Sequence, residues 1–226
     1  MFNIINNGFR FMLLWAFGSI ASLFASAIVG FVLFIAGGLL IGTIWGSQTT
    51  AISSTTSLFI LGLLFGIIGL AMGLIFGSIQ KSILRGHTRE PWRGWLISSS
   101  IGGSLGVIAI AAILTTQSMG YIMMSVMPPP DTLLWFAFQI LIIFFGCLGL
   151  CQMIALRQYV HGAWVWILAN LVAGIVFYAL IAFGFISWAV TLWIAIGLGL
   201  FVAAAPGIVT GFVMVWLINA NWRQNY

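Results

Sequence analysis

Charge is what this sequence is shortest of. Its 226 residues carry two acidic and seven Lys or Arg side chains, 4% of the chain. A soluble domain carries about 25%. A chain this poor in charge cannot cover its own surface in water, which excludes a soluble enzyme, a disordered protein and a nucleic-acid binder. There are two Cys, both in one apolar run, so a disulfide scaffold is excluded too. Neither Glu90 nor Asp131 lies inside an apolar run. That rules out paired-carboxylate hydrolysis and argues against a proton-coupled carrier, whose relays need intramembrane carboxylates or His.

What fills the chain instead is 63% hydrophobic residues with 27 Gly and 11 Trp. A bilayer core of about 30 Å needs about 20 helical residues. Six uncharged runs are long enough: Phe11–Trp45, Leu58–Gln80, Gly94–Thr115, Leu133–Ala155, Ala163–Ser187 and Ala189–Asn219. They are apolar on every side, unlike the alternating strands of a β-barrel. The expectation is an all-α integral membrane protein of six transmembrane helices, one domain over residues 1–226.

Charge sets the expected topology. If the first run crosses once and the last two form a hairpin, Arg10, Lys81, Arg85, Arg89, Arg93, Arg157 and Arg223 all share one side. The positive-inside rule makes that side cytoplasmic, N-in and C-in. Trp15, Trp92, Trp95, Trp164, Trp166, Trp216 and Trp222 then fall at cytoplasmic ends, and Trp45, Trp135, Trp188 and Trp193 at or near outer ends. Such placement reads as interfacial anchors. Ala25-Ser26-Ala27 imitates a signal-peptide cleavage site, but cleavage would invert the charge pattern, so the first helix reads as an uncleaved anchor.

The chain also looks threefold repetitive. Trp15-Ala-Phe-Gly-Ser, Trp95-Leu-Ile-Ser-Ser and Trp166-Ile-Leu-Ala-Asn open the odd helices. Gly77-x-x-Gln80-x-x-x-Leu84-Arg85 and Gly149-x-x-Gln152-x-x-x-Leu156-Arg157 close the second and fourth, at an offset of 72 residues. In the sixth, Gly211 is kept, with Met214 where Gln is expected. Three helical hairpin repeats follow, roughly 9–93, 94–162 and 163–226, related by an axis along the membrane normal. Gly77, Gln80 and Leu84 share a helix face. Gln80 and Gln152 read as interhelical hydrogen-bonding groups, with ligand or pigment contact the sharper alternative. Small residues recur at spacings of three or four: Gly18, Ser22, Ser26 and Gly30; Gly62, Gly66, Gly69, Gly73 and Gly77; Gly102 and Gly106; Gly199, Ala203, Gly207 and Gly211. They let backbones approach within a bundle or an oligomer. Pro206 is expected to bend the last helix.

Other motifs read as structural. Gly102-Gly103-Ser104-Leu105-Gly106 matches a nucleophile elbow, but it sits within a helix, and His87 and His161 lie in cytoplasmic loops. Those two His read as interfacial groups rather than metal or porphyrin ligands. Cys147 and Cys151 read as packing residues. Met119, Met123, Met124 and Met127 before Pro128-Pro129-Pro130 suit a Met-faced interfacial helix better than a copper site. Lys81–Arg93, with Lys81, Arg85, Arg89 and Arg93, reads as a juxtamembrane loop for anionic lipid or an acidic partner, and Arg157 joins that set.

The repeated Gly-x-x-Gln-x-x-x-Leu-Arg ends, each followed by a Trp-led helix, resemble uncharacterised multi-pass membrane proteins of cyanobacterial type. Gly73, Gly77, Gln80, Leu84, Arg85 and Trp95 match that pattern, as do Gly149, Gln152, Leu156, Arg157 and Trp166. Lys81 and Met153 depart from it, standing where Trp is usual. The resemblance implies no activity. The function expected is non-enzymatic: an accessory or structural subunit packing against lipid, protein or pigment, or against its own copies, in a prokaryotic plasma or thylakoid membrane. The rival is a small-molecule transporter or substrate-binding component. Resident cofactors are expected to be none, with pigment or quinone the exception to test.

Overall fold

A computed structural model describes residues 4–46, 54–88, 92–123, 129–186 and 192–222, with side chains over 8–39, 59–88, 92–113, 131–182 and 204–220. Six helices run in order: α1 (Ile4–Gly46), α2 (Ser54–His87), α3 (Trp95–Met123), α4 (Pro130–Leu156), α5 (Val165–Ile186) and α6 (Leu192–Trp222). No strand occurs among the described residues. Five helices are long and apolar enough to cross a membrane, the character of an integral membrane protein; α6 carries a shorter apolar stretch, Ala204–Ala220, over its described side chains. Phe9, Phe17, Phe31, Phe59 and Phe212 are each at least 65% exposed, a surface that only hydrocarbon or another apolar surface can cover.

Local chemistry explains the boundaries. Pro129 caps α4 and Pro130 opens it, a position where a missing N–H is harmless. Gly94 and Gly162, at φ +82° and +76°, turn the chain into α3 and α5 in a region that favours glycine. Two expected boundaries are corrected. Charge places a loop from Lys81 onward, yet α2 continues to His87, because nothing between Gln80 and Gly86 breaks a helix. The Met-rich segment was read as a separate helix, yet α3 runs on through Met123, while Met124 and Met127 lie outside the described residues.

Each helix packs against its neighbours in sequence, and α6 returns against α1, so the six close into a ring. The small residues face inward to those neighbours. A Cβ built on Gly69 would lie 2.5 Å from the Gly103 carbonyl oxygen, and one on Gly73 would collide with the Ser99 carbonyl oxygen, so α2 and α3 touch backbone to backbone. Gly102 abuts the Leu148 Cα and Cys147 carbonyl of α4. Gly207 abuts Ala16 and Ser19 of α1, and Gly149 abuts Asn170 of α5. Ser26 donates to the Met72 carbonyl across α1 and α2 at 3.1 Å. Gly62 faces open space.

Burial is uneven along the bundle. The main core cluster joins the starts of α1, α3 and α5 to the ends of α2, α4 and α6. On α4, no side chain from Asp131 to Phe144 is buried, whereas Phe145, Leu148, Gln152 and Leu156 are. On α5, burial stops after Gly174. On α4 and α5 the described burial is therefore concentrated at the tryptophan-bearing end. Gly73→Leu is expected to lower stability by more than the roughly 1–3 kcal/mol typical of overpacking. Gly62→Ala should stay within about 0.5 kcal/mol of wild type. Thermal unfolding in detergent checks both.

Candidate functional site

The packed end is built around three indoles. Trp15, Trp95 and Trp166 are fully buried. Their ring centroids stand 6.5 Å (Trp15–Trp95), 6.1 Å (Trp15–Trp166) and 6.0 Å (Trp95–Trp166) apart, all edge-on, the geometry aromatic quadrupoles prefer. One comes from each odd helix, so the triangle spans the ring and fills its interior at this end. The anchor reading is corrected for these three and for Trp92, which is 2% exposed. An indole at a helix end can serve an interface or a core, and here polar partners within the protein make the burial of Trp15, Trp92 and Trp166 tolerable. Trp135, Trp164 and Trp216 are exposed and remain compatible with anchoring. The side chains of Trp45, Trp188, Trp193 and Trp222 lie outside those described.

A turn below, buried polar side chains hydrogen-bond to one another. Trp166 Nε1 donates to Gln152 Oε1 at 3.0 Å. Gln152 Nε2 donates to Gln80 Oε1 at 3.0 Å and to Ser99 Oγ at 2.9 Å. One amide thus ties α2, α3, α4 and α5 together. On the remaining side of the ring, Trp15 Nε1 donates to Thr210 Oγ1 at 3.1 Å. Thr210 in turn donates to the Pro206 carbonyl, one turn back in a helix that continues through its proline. Trp95 Nε1 and Ser19 Oγ are buried without a partner. The α2 residue placed like Gln152 and Thr210 is Gln80, whose oxygen accepts from Gln152 and not from Trp95.

These contacts correct the register assigned to α6. Gly77 meets Ser99, Gly149 meets Asn170, and Gly207 meets Ser19, each partner standing four residues after a central tryptophan. The α6 residues in line with Gly77, Gln80 and Leu84 are therefore Gly207, Thr210 and Met214. Gly211, which sequence alignment placed opposite Gly77, sits against the Trp15 ring instead. Thr210 supplies the hydroxyl acceptor for Trp15, which Met214 could not. Ser99 and Thr210 were not singled out as a pair, although the aligned pentapeptides already ended in Ser19, Ser99 and Asn170.

The loops on the side of the triangle away from the amides are held by Trp92. It sits at φ 45°, unusual for a residue with a Cβ. Its Nε1 donates to Thr88 Oγ1 at 2.6 Å and its ring lies 4.9 Å from that of Tyr159. The Tyr159 hydroxyl accepts the Arg93 backbone N–H at 2.7 Å, linking the α2–α3 and α4–α5 connections. Among the basic residues singled out, Arg85, Arg93 and Arg157 are exposed, Lys81 is half-buried on α2, and Arg89 lies outside the described residues. His87 is bonded to the Ile83 carbonyl and packs edge-on against Phe11. The motif Gly102–Gly106 is helical, and Cys147 and Cys151 are free thiols facing α3. Among the described residues, no three of His, Cys, Asp and Glu are grouped to hold a metal ion. The indole and amide cluster contains no titratable group; it can bind and brace.

Compared with family models, with curated proteins and with solved structures, the chain matches none.

Removing the central amide should unbalance several groups at once. Gln152→Leu leaves the Trp166 indole, the Gln80 oxygen and the Ser99 hydroxyl without this partner, for an expected loss of about 1–3 kcal/mol. Trp166→Phe should cost about 1 kcal/mol more than Trp95→Phe, whose indole N–H has no partner to lose. Equilibrium unfolding of the variants in detergent measures the difference.

Proposed function

We propose that this chain is a non-enzymatic integral membrane protein, an accessory or structural subunit that packs against lipid, protein or pigment partners. In this reading α6 is the sixth span. The hairpins 9–93, 94–162 and 163–226 are repeats about an axis along the membrane normal. The tryptophan-bearing end and both termini face the cytoplasm of a cell whose plasma or thylakoid membrane holds the protein. The observation that carries the reading is the mutual use of buried polar groups at the bundle interior. Gln152 engages Gln80, Ser99 and Trp166, while three indoles fill the space between the odd helices. A translocation path would need such groups turned toward a substrate. Gly66, Gly69, Gly73, Gly77, Gly102, Gly106, Gly207 and Gly211 are taken up between the chain's own helices, so partners and further copies meet the outer apolar face.

A second reading is supported by one observation. Burial of the described side chains fades on α4 before Phe145 and on α5 after Gly174. A substrate-binding component would use that half.

Purification in mild detergent, with mass spectrometry and an absorption spectrum of one eluate, separates the two. Stoichiometric proteins or pigment support the subunit reading; a lone, colourless protein that retains a small molecule supports the rival. Orientation has its own test. In a variant with Cys147 and Cys151 replaced, Gly86→Cys, at an exposed position with open space around it, should react with an impermeant thiol reagent only from the cytoplasmic side. Asp131→Cys should react only from the other side. The reverse pattern would overturn the assignment.

A further inference from the structure

We infer that the basic end binds anionic phospholipid, one headgroup on each of four arginines that stand at the head of exposed apolar stripes on α1–α4. The inference rests on the membrane reading above and names the partner of its basic face.

On α1, exposed Arg10 is followed by exposed Leu14, Phe17, Phe24 and Ile28, spaced so that all share one helix face. On α2, the stripe Phe59, Leu63, Ile67, Leu70 and Leu74 continues through Ser78 and Ser82 to exposed Arg85. Exposed Arg93 precedes Ile97, Ile101, Leu105 and Ile108 of α3. Leu150 and Ile154 of α4 lead to exposed Arg157. Among the described residues, the corresponding stripes of α5 and α6 carry aromatic residues near this end: Trp164 with Leu168, Val172 and Ile175, and Trp216 with Phe212 and Ile208. Tryptophan at those two ends marks the depth of the membrane–water interface, where a phosphate lies.

The pattern fits a phospholipid better than an acidic protein. A lipid offers a phosphate joined to an acyl chain, and each stripe offers a guanidinium joined to a strip of apolar surface in the same order. Arginine also matches phosphate geometry with paired N–H donors. An acidic protein surface would need only clustered cations, whereas these are dispersed over four neighbouring helices. Asp131, the one acidic residue described, begins α4 at the opposite end of the bundle. The frame beneath the arginines is rigid. Phe11 on His87 at 5.1 Å fixes the start of α1 to the end of α2, and the Arg93–Tyr159 hydrogen bond fixes the start of α3 to the end of α4.

Native mass spectrometry of the full chain in detergent, titrated with phosphatidylglycerol or phosphatidylcholine, tests this. Wild type should retain up to four phosphatidylglycerol molecules, each about fivefold more tightly than phosphatidylcholine, the effect of one cation near an anionic lipid. Arg157→Gln should remove one preferred site, and Arg10→Gln, Arg85→Gln, Arg93→Gln and Arg157→Gln together should remove the preference. The four Lys equivalents, which keep the charge but lose the paired donors, should keep the preference in weakened form. Single variants carry the test if the fourfold variant does not fold. Equal retention of both lipids by wild type overturns the inference while leaving the membrane reading intact; retention of neither would count against that reading too. Preferential binding of polyglutamate over phosphatidylglycerol overturns it in favour of an acidic protein partner.

Discussion

A polar atom buried where no water reaches must find its partner in the protein, and this constraint organises the packed end of the bundle. The indoles of Trp15 and Trp166 bring N–H groups into the interior, and the acceptors come from the even helices: Thr210 for one, Gln152 for the other. The Gln152 amide then passes its own N–H groups to Gln80 and Ser99. The result joins helices distant in sequence by directional bonds rather than by apolar contact, which hydrocarbon would supply equally well. Individual interhelical bonds of this kind are worth only about 0.6 kcal/mol on average in membranes. Their larger effect is on register, since sliding any one helix leaves several donors and acceptors unmatched together.

Glycine makes that arrangement reachable. Gly77, Gly149 and Gly207 each let a polar residue of the next odd helix come within about one methyl group of the backbone, so that the amide or hydroxyl three residues later meets its partners. The unit is therefore a close approach and an acceptor together. In α6 the acceptor is shorter, and Thr210 reaches only because Gly207 abuts Ser19 and Ala16 directly. The arginine-headed stripes on the opposite faces of the same helices follow from the same amphipathic logic turned outward. On α1–α4 one side satisfies polar atoms inside, and the other presents apolar surface ending in an arginine.

Helix number and approximate placement were legible because runs without charge can only be helical in a bilayer, and because Trp, Gln and Gly recur at spacings a helix would place on one face. The two glutamines stood out for the same reason: an amide in an apolar run needs a partner. The burial of Trp15, Trp92, Trp95 and Trp166 was not legible. Sequence distinguishes a helix end from its middle but not the lipid side of that end from the bundle side. The α6 register was hidden because Gly207 and Gly211 are both glycines in one stripe, and only contact with Ser19 separates them. The φ of Trp92 left no signal, because a glycine would ordinarily mark such a position and none occurs there. The helical continuation of α2 beyond Lys81 was obscured by reading charge as a boundary, when it marks depth in the membrane rather than the end of a helix.

The account depends on buried, hydrogen-bonded indoles at the centre of one end, and the indole N–H groups report on this directly. In protein carrying 15N-labelled tryptophan, assigned by single Trp→Phe variants, hydrogen exchange at each Nε1 can be followed in detergent by NMR. The Trp15 and Trp166 signals should be shifted downfield and protected, Trp95 protected without the downfield shift, and Trp164 and Trp216 quick to exchange. Exchange at Trp15 and Trp166 as rapid as at Trp164 and Trp216 would contradict the central claim that these side chains close the bundle.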